Sequence, residues 1–382
     1  MSSVHPYSTD AGRKWRVRWR DELGKSRQKK GFRTKREAEL WRADLDVKAA
    51  RGEWVDPGLG KQTLGWYAEQ WLKQQVHLKA TSRHLNDQWY RNHIAPRWAE
   101  RQLGSIRPSE VRAWILELET AGIGVPTIRR TFAVFRRLLN AAVDDRLITS
   151  SPADRVPLPR HQPADRSVLT HGQVELLAEE VGEYRTVIEL LAYSGLRYGE
   201  LAALRIGDVD MLRRRIRVRR SVTEVKGELV WSTPKVGRER VVAFPSFLAE
   251  PLAAQMVGRG RDDLVFTTPT GAVLRNTTFR PRVFNPAVKR CRVADPTFPK
   301  VTVHDLRHTA ATLAIQAGAS AKTLQQMLGH ASASMTLDIY AAYLPDALDS
   351  VTDALERQRE QSTTGHREAT PRSATTGLHG TS

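Results

Sequence analysis

The sequence predicts an α+β protein that is mostly helical and is divided into several domains. Its 382 residues exceed what one hydrophobic core usually supports, so two or three domains are expected. Alternation of apolar and polar residues near the N-terminus predicts strands, whereas the apolar residues of 62–156 recur with a helical period. From 167 to about 350 the two patterns are mixed. These observations predict a small basic sheet-and-helix module, an all-helical domain and a mixed α/β domain, in that order.

The chain is strongly basic. It contains 60 Lys and Arg residues against 42 Asp and Glu residues, which gives a formal net charge of +18 at pH 7. Such a field attracts polyanions, and neutralising phosphates releases condensed counterions, so nucleic acid is the partner that the charge favours. A basic protein with no polyanionic partner is the alternative that charge alone leaves open.

Two other features of the composition exclude whole classes of protein. Cys291 is the single cysteine, so the chain can form no internal disulfide and no cysteine-rich zinc site. No apolar run approaches the roughly 20 residues that a bilayer requires, and the N-terminus has no apolar signal core. We therefore expect a cytoplasmic protein.

Residues 1–55 have the pattern of a small basic module. Lys14–Trp19 alternates basic with apolar or aromatic residues, which predicts a strand, and a turn leads into a second basic stretch, Lys25–Phe32. Thr34 and Glu37 have capping-box spacing and predict the start of a helix. A two- or three-stranded basic sheet backed by one helix could place its strands in a DNA groove, whereas a solvated hairpin is the structural alternative. The candidate DNA contacts are Arg16, Arg18, Arg20, Lys29 and Lys30.

Residues 62–156, which follow a Pro- and Gly-containing break at 56–60, are predicted to be nearly all helix. The clearest helix has an apolar side that runs from Ile128 to Val143 and an opposite side rich in arginine. The arginine side is either solvated or in contact with phosphate, and the sequence leaves both interpretations open. The candidate phosphate contacts are Arg129, Arg130, Arg136 and Arg137.

A proline-rich linker, 157–166, precedes the mixed domain, 167–350. In this domain we predict helices near 173–181, 184–194, 247–257, 304–317, 321–328 and 334–343, and strands near 215–222, 228–232 and 239–244. Residues 355–382 are polar and rich in Ser, Thr, Gly and Arg, so a disordered tail is expected.

Short segments of the mixed domain carry side chains suited to phosphoryl transfer. Arg197 follows Gly195, which has the position of a helix C-cap, so its guanidinium is held where its fork suits two phosphate oxygens. Lys235 joins two predicted strands near the tip of a hairpin and could protonate a leaving oxygen. A solvated turn arginine and a solvated loop lysine are the structural alternatives.

The pair His304 and Arg307 opens a predicted helix, where three-residue spacing places both on one face and the helix N-terminus favours anions. His304 and His308 have a metal-ligand spacing, but Arg307 between them repels a cation and no third ligand is evident. We interpret His308 as structural. His330 follows at a chain reversal.

Tyr340 lies on the next predicted helix, ten residues after His330. Tyr343 is an equally eligible phenol by residue type. Three cations, two imidazoles and then a phenol suit the transfer of a phosphoryl group from a DNA strand to tyrosine.

These segments resemble the catalytic domain of the tyrosine recombinases, specifically the phage-type integrases. The matching segments are GLRYGEL at 195–201, TPK at 233–235, HDLRH at 304–308, LGH at 328–330 and TLDIY at 336–340. Residues 62–156 more loosely resemble the core-binding domain of that family, and 1–55 look like its small arm-type DNA-binding domain.

The resemblance implies a catalytic set and a mechanism. In chain order the set is Arg197, Lys235, His304, Arg307, His330 and Tyr340. The tyrosine would form a 3′-phosphotyrosyl link, the arginines would bind the nonbridging oxygens, the histidines would hydrogen-bond the phosphate and the lysine would protonate the leaving 5′ oxygen. The covalent link conserves the phosphodiester energy, so no cofactor and no metal are expected.

The resemblance also implies partners. These are double-stranded DNA attachment sites, a homo-tetramer assembled on DNA, and an excisionase or a host DNA-bending factor. The protein would act at the nucleoid of a bacterial host, where it would integrate or excise a mobile element such as a prophage.

Three alternatives remain open. A type IB topoisomerase uses similar chemistry without strand exchange, but the N-terminal module counts against it. A dimer-resolving recombinase shares the catalytic domain but usually lacks that module. A non-catalytic DNA-binding protein of the same fold would have no use for a placed phenol.

Overall fold

The structure, a computed structural model, describes residues 2–10, 12–20, 24–50, 59–161, 167–233 and 239–329, with Thr352, Leu355, Glu356 and Arg359 beyond them. The chain divides into two compact units, Met1–Pro163 and Ala164–Ser382. The first unit holds a sheet-and-helix module and a helical domain, and the second holds a mixed α/β domain. This is the α+β, mostly helical class that the sequence predicts. In the part of the chain described, no helix is long and apolar enough to cross a membrane.

The N-terminal module is a three-stranded antiparallel sheet packed against one helix. Its elements are β1 (Ser3–Thr9), β2 (Gly12–Arg20), β3 (Ser26–Phe32) and α1 (Lys35–Ala50). β2 is the central strand, and its Val17 is fully buried against Phe32, with Trp41 of the helix packed on them. Thr34 Oγ1 accepts a hydrogen bond from the backbone N–H of Glu37 (3.1 Å) and so caps α1, as the spacing predicts.

The helical domain of the first unit is built around an aromatic core. Its helices are α2 (Leu64–Lys73), α3 (Ala80–Trp89), α4 (Ala95–Trp98), α5 (Pro108–Thr120) and α6 (Val125–Asp144). Trp98, Trp114 and Phe135 lie at its centre, with ring centroids 5.0 to 5.8 Å apart. Because these rings come from α4, α5 and α6, their burial fixes three helices against one another.

The predicted linker begins as part of this helical domain. Val156 is buried in the helical core, and Leu158 packs against it. Arg129 Nη1 also donates a hydrogen bond to the carbonyl of Pro159 (3.0 Å). The first residues of 157–166 are therefore anchored, and 162–166 lie outside the described residues.

The second unit is the mixed domain. Its helices are α7 (His171–Glu180), α8 (Arg185–Ser194), α9 (Tyr198–Leu201), α10 (Ala249–Met256), α11 (Asn276–Phe279), α12 (Asn285–Ala294), α13 (Asp305–Gln316) and α14 (Ala321–Leu328). Its strands are β4 (Val209–Asp210), β5 (Arg215–Val218), β6 (Ser221–Val225), β7 (Glu228–Ser232) and β8 (Arg240–Ala243). α8 is buried along nearly its whole length because it packs against both α7 and α13. The predicted elements are confirmed within a few residues where the structure describes them, but α11, α12 and β4 were not predicted.

Two π-helical turns join helices that carry a proline near their start. Tyr90–Ile94 connects α3 to α4, and the N–H of Ala95 bonds to a carbonyl five residues earlier. Arg280–Phe284 connects α11 to α12 in the same way. Pro96 and Pro286 follow these turns and have no N–H to donate, so a local change of hydrogen-bond pattern lets the helical path continue through each proline.

The strands of the mixed domain form a long hairpin whose two arms are each divided. β6 pairs with β7 and β5 pairs with β8, so the predicted single strand 215–222 is two strands. The tip is the turn Lys226–Gly227, where both residues have positive φ. Seven residues, 233–239, separate β7 from β8, whereas two residues separate β5 from β6. Lys235 lies within 234–238, outside the described residues, so its place near a hairpin tip stays a prediction.

Candidate active site

Two glycines shape the turn that carries Arg197. Gly195 follows α8 in the left-handed conformation (φ +68°), and a Cβ there would lie 2.9 Å from Leu328 Cδ2. A Cβ on Gly199 would lie 2.6 Å from the carbonyl oxygen of Val222. The positive φ at Gly195 favours glycine where α8 ends, and a side chain on Gly199 would force α9 and β6 apart. Arg197 stands between them, and 24% of its side chain is exposed.

Glu200 binds two arginines from a buried position. Its carboxylate accepts hydrogen bonds from Arg197 Nη1 and from the Arg197 backbone N–H, both at 2.9 Å. Arg240 Nη1 and Nη2 donate to its two oxygens at 2.8 and 2.6 Å. Burial alone would raise the pKa of Glu200, but the hydrogen bonds and charge of Arg240, with those of Arg197, hold that pKa below its usual range. Glu200 therefore anchors this turn.

Arg307 lies close to the same cluster. It is 5% exposed, and its Nη1 donates to the carbonyl of Gly195 (2.5 Å) while Nη2 donates to the carbonyl that ends α14. Burial, followed by repulsion from Arg197 and Arg240, lowers the pKa of Arg307 to about 9. An oxyanion beside these guanidiniums would relieve that repulsion and suit their fork geometry.

The C-terminus of α14 is capped by arginines. Arg240 Nε donates to the carbonyl of Met327 (3.3 Å), and Arg307 donates to the next carbonyl. The last carbonyls of a helix have no partner within it, so these two guanidiniums satisfy them. Gly329 then reverses the chain with φ +60°, directly before His330.

His304 is exposed at the start of α13, three residues before buried Arg307. Its ring lies edge-to-face with that of His308, with centroids 5.2 Å apart. The Asp305 carboxylate accepts hydrogen bonds from the backbone N–H and the hydroxyl of Thr302, at 2.7 and 2.8 Å, and so fixes this first turn. Among the residues that the structure describes, no group of three or more His, Cys, Asp or Glu could hold a metal ion.

Three of the six predicted catalytic residues lie outside the described residues. They are Lys235, His330 and Tyr340. The described residues extend to Thr233, two residues before the lysine, and to Gly329, immediately before the histidine. The predicted helix 334–343, with Tyr343, also lies outside it. The site that can be described therefore consists of the arginine cluster and the start of α13.

The predicted DNA contacts of the N-terminal module fall on two faces of its sheet. Side chains alternate along a strand, and directly paired residues share a face. By the register, the candidates on the open face are Arg16, Arg18, Arg20 and Lys30. Lys29 pairs instead with buried Val17, and its Nζ lies 4.8 Å from the ring centroid of Trp41. Lys29 therefore lies on the helix side, apart from the other four.

The four candidate arginines of α6 all have partners within the protein. Their side chains are also exposed, so pairing and phosphate contact are compatible. The partners are the carbonyl of Pro159 for Arg129, the ring of Trp89 for Arg130, the carboxylate of Asp154 for Arg136 and the amide oxygen of Asn86 for Arg137.

Arg240 is a site residue that the sequence analysis did not single out. It follows Lys235 in a run of charged residues that is typical of a solvated loop. The β-branched residues Val241 and Val242 do favour a strand, but no local pattern pairs this arginine with Glu200, 40 residues earlier.

Comparisons with known proteins show the family of this chain. Residues 167–346 match the sequence model of the phage integrase family. The chain is 31% identical over 322 residues to the integrase of Mycobacterium phage FRAT1, and the match covers 79% of this chain and 92% of that protein.

Solved structures share the fold. A structure of the Tn1549 transposon integrase in complex with a circular intermediate DNA has a TM-score of 0.67 and 21% identity, covering 77% of this chain and 99% of the other. A lambda integrase tetramer bound to a Holliday junction has a TM-score of 0.57 and 17% identity, covering 87% and 94%. The chain therefore belongs to the phage integrase family and is a tyrosine-type site-specific DNA recombinase.

Proposed function

We propose that this recombinase cleaves and rejoins DNA through a covalent link between Tyr340 and a 3′ phosphate. The Tyr340 oxygen attacks the scissile phosphorus, the bond from phosphorus to the 5′ oxygen breaks, and Lys235 protonates that oxygen. The phosphodiester energy stays in the phosphotyrosyl bond, so a 5′ hydroxyl of a partner strand attacks next and completes the exchange.

The remaining catalytic residues act on the phosphate. Arg197 and Arg307 bind its nonbridging oxygens and stabilise the charge of the pentacoordinate transition state. His304 and His330 hydrogen-bond the same group, and His304 assists removal of the proton from Tyr340.

The observation that carries this proposal is the charge balance of the arginine cluster. Arg197, Arg240 and Arg307 are close enough for the first two to lower the pKa of the third, and Glu200 is the carboxylate that binds into the cluster. Three positive charges and one negative charge leave the cluster with a net positive charge, which a phosphodiester would neutralise. Positioned guanidiniums of this kind are what phosphoryl transfer requires, because the transition state spreads its charge over the equatorial oxygens.

We extend the proposal to the DNA-binding parts of the chain. Residues 1–55 contact arm-type sites through the open face of their sheet, and 62–156 contact the core site through the arginines of α6. Two duplexes are exchanged by a homo-tetramer at the nucleoid of a bacterial host, where an excisionase or a DNA-bending factor sets the direction. The lambda integrase tetramer bound to a Holliday junction supports the homo-tetramer in this proposal.

A suicide-substrate assay tests the proposed chemistry. The site is first recovered by selecting, from a random pool of duplexes, those that the full chain retains. Nicked versions of this duplex, with the nick moved one base at a time, are then incubated with the protein in chelator and run on a denaturing protein gel. We expect a covalent adduct with the parent chain, because a short fragment released at the nick diffuses away and traps the intermediate.

Tyr343→Phe is the matched control, since it removes a second phenol three residues from the proposed nucleophile. We expect the adduct to survive in Tyr343→Phe and to be absent in Tyr340→Phe, with DNA binding retained in both. An adduct that persists in Tyr340→Phe, or none with the parent on any nicked duplex it binds, would refute the proposed nucleophile.

A further inference from the structure

Arg240 is held on several sides by protein acceptors. Nη1 and Nη2 donate to the two oxygens of Glu200, and Nε donates to the carbonyl of Met327. A guanidinium carries five N–H groups, so these bonds use a majority of them and both edges of its planar fork. The side chain is 11% exposed. Its geometry suits a bridge within the protein better than a contact with DNA.

The partners of Arg240 belong to different parts of the catalytic domain. Glu200 also binds Arg197, through both its side chain and its backbone N–H. Met327 lies in the last turn of α14, three residues before His330. Arg240 itself begins β8, five residues after Lys235. One side chain therefore links three segments that carry proposed catalytic residues.

Gly329 shows how closely the chain reversal fits this bridge. A Cβ added there would lie 2.7 Å from Cδ and 3.0 Å from Nε of Arg240. The backbone that leads into His330 thus lies directly against the Arg240 side chain. Arg307 makes a parallel bridge, from the carbonyl of Gly195 to that of Leu328, but it is also assigned to the phosphate.

We propose that Arg240 is a positioning residue, which sets Arg197 relative to the segment that carries His330. The proposal rests on the proposed function of those two residues. Arg240 acts through Glu200 on one side and through the end of α14 on the other, and it does not touch the phosphate. Misplacing a reacting group by about 1 Å can cost about 10²-fold in rate, so the loss of this bridge should reach the chemical step.

Single-turnover cleavage of the nicked duplex by the full chain, at saturating protein, tests the proposal. Arg240→Met removes the bridge, and Arg240→Lys keeps the charge beside Glu200 but cannot bond both carboxylate oxygens and a carbonyl in one plane. We expect both variants to cleave about 10²-fold more slowly, with DNA affinity unchanged. Arg217→Met is the matched control, because Arg217 is an exposed arginine on the neighbouring strand β5, and it should cleave at the parent rate.

A double-mutant cycle distinguishes positioning from a general loss of structure. Because Arg240 acts partly through Arg197, Arg240→Met should cost clearly less than about 10²-fold in an Arg197→Ala background, since the two effects are then not additive. The proposal would be overturned if Arg240→Met still slowed cleavage about 10²-fold in the Arg197→Ala background. It would also be overturned if Arg240→Lys cleaved at the parent rate, or if DNA affinity fell as much as the cleavage rate. Failure of the proposed function would appear in a different experiment, the suicide-substrate assay, as a covalent adduct that still forms with Tyr340→Phe.

Discussion

The charge balance of the site depends on Glu200. This carboxylate is buried and bonds to Arg197 and Arg240, so removing its charge would leave guanidiniums facing one another out of water. We expect Glu200→Gln to lower the free energy of unfolding of the mixed domain by about 3–5 kcal/mol, the usual cost of breaking a buried ion pair from one side. Urea denaturation at neutral pH measures this loss.

The pH dependence of stability provides the control for this prediction. Because its hydrogen bonds and neighbouring charges lower the pKa of Glu200, the folded state binds the proton less tightly than the unfolded state does. The stabilisation is fully present above the usual value near 4.5 and is lost as the pH falls through the lower folded value. The parent should therefore lose stability more steeply than Glu200→Gln below about pH 5, and equal slopes would contradict this role.

The residues of the site differ in how far the sequence predicts them. Arg197 and Glu200 lie three apart in one turn, so their pairing follows from local spacing. Arg240 contacts the same carboxylate from a strand that begins 40 residues later, and its own neighbours are charged and resemble a loop. Such a contact depends on the tertiary arrangement of α9 and β8, which no local pattern encodes.

At the scale of elements, one of the candidate DNA-binding arginines of α6 also has a structural role. Arg137 Nη2 donates to the side-chain oxygen of Asn86 (3.0 Å), and Asn86 in turn donates to Gln75 (2.7 Å). Asn86 and Gln75 are both buried. The exposed arginine therefore extends this buried polar network and ties α6 to α3.

We expect Arg137→Ala to lower the free energy of unfolding of the helical domain by about 1–3 kcal/mol, because the oxygen of Asn86 would be left buried without its donor. Arg136→Ala is the matched control. Its ion pair with Asp154 is exposed and 3.6 Å long, so it should cost no more than about 1 kcal/mol. Thermal or urea unfolding of both variants compares them, and equal losses would contradict a structural role for Arg137.

Elements with an uninterrupted apolar period were predicted well, whereas those shaped by their neighbours were not. α14 has the predicted bounds, 321–328, because Ser320 caps its start and Gly329 ends it. α11 and α12 were missed because Pro281 and Pro286 are typical of breaks, and a π-helical turn instead carries the chain through them. The predicted single strand 215–222 is divided because β5 pairs with β8 whereas β6 pairs with β7, and this pairing depends on the tertiary arrangement.

At the scale of the whole molecule, the N-terminal module and the helical domain have separate hydrophobic cores. Val17, Phe32 and Ala38 form the first, and the second is centred on the Trp98, Trp114 and Phe135 rings. Among the residues that the structure describes, no side chain of 1–55 belongs to the second core. Removal of the module should therefore leave the helical domain and the catalytic domain folded.

We expect a chain without residues 1–55 to form the covalent adduct on the selected core duplex at close to the parent rate. Its affinity for longer, arm-containing DNA should fall and should depend less on salt, because each phosphate that a cation neutralises adds about 0.9 to the slope of log K against log salt.

Lys30→Gln in the full chain should lower this slope by about 0.9, whereas Lys29→Gln should leave it nearly unchanged, since Lys29 lies on the helix side of the sheet. Filter binding across a salt series measures all three. A truncated chain that no longer melts cooperatively would contradict the separate module, and equal slopes for the two lysine variants would contradict the assignment of the open face to DNA.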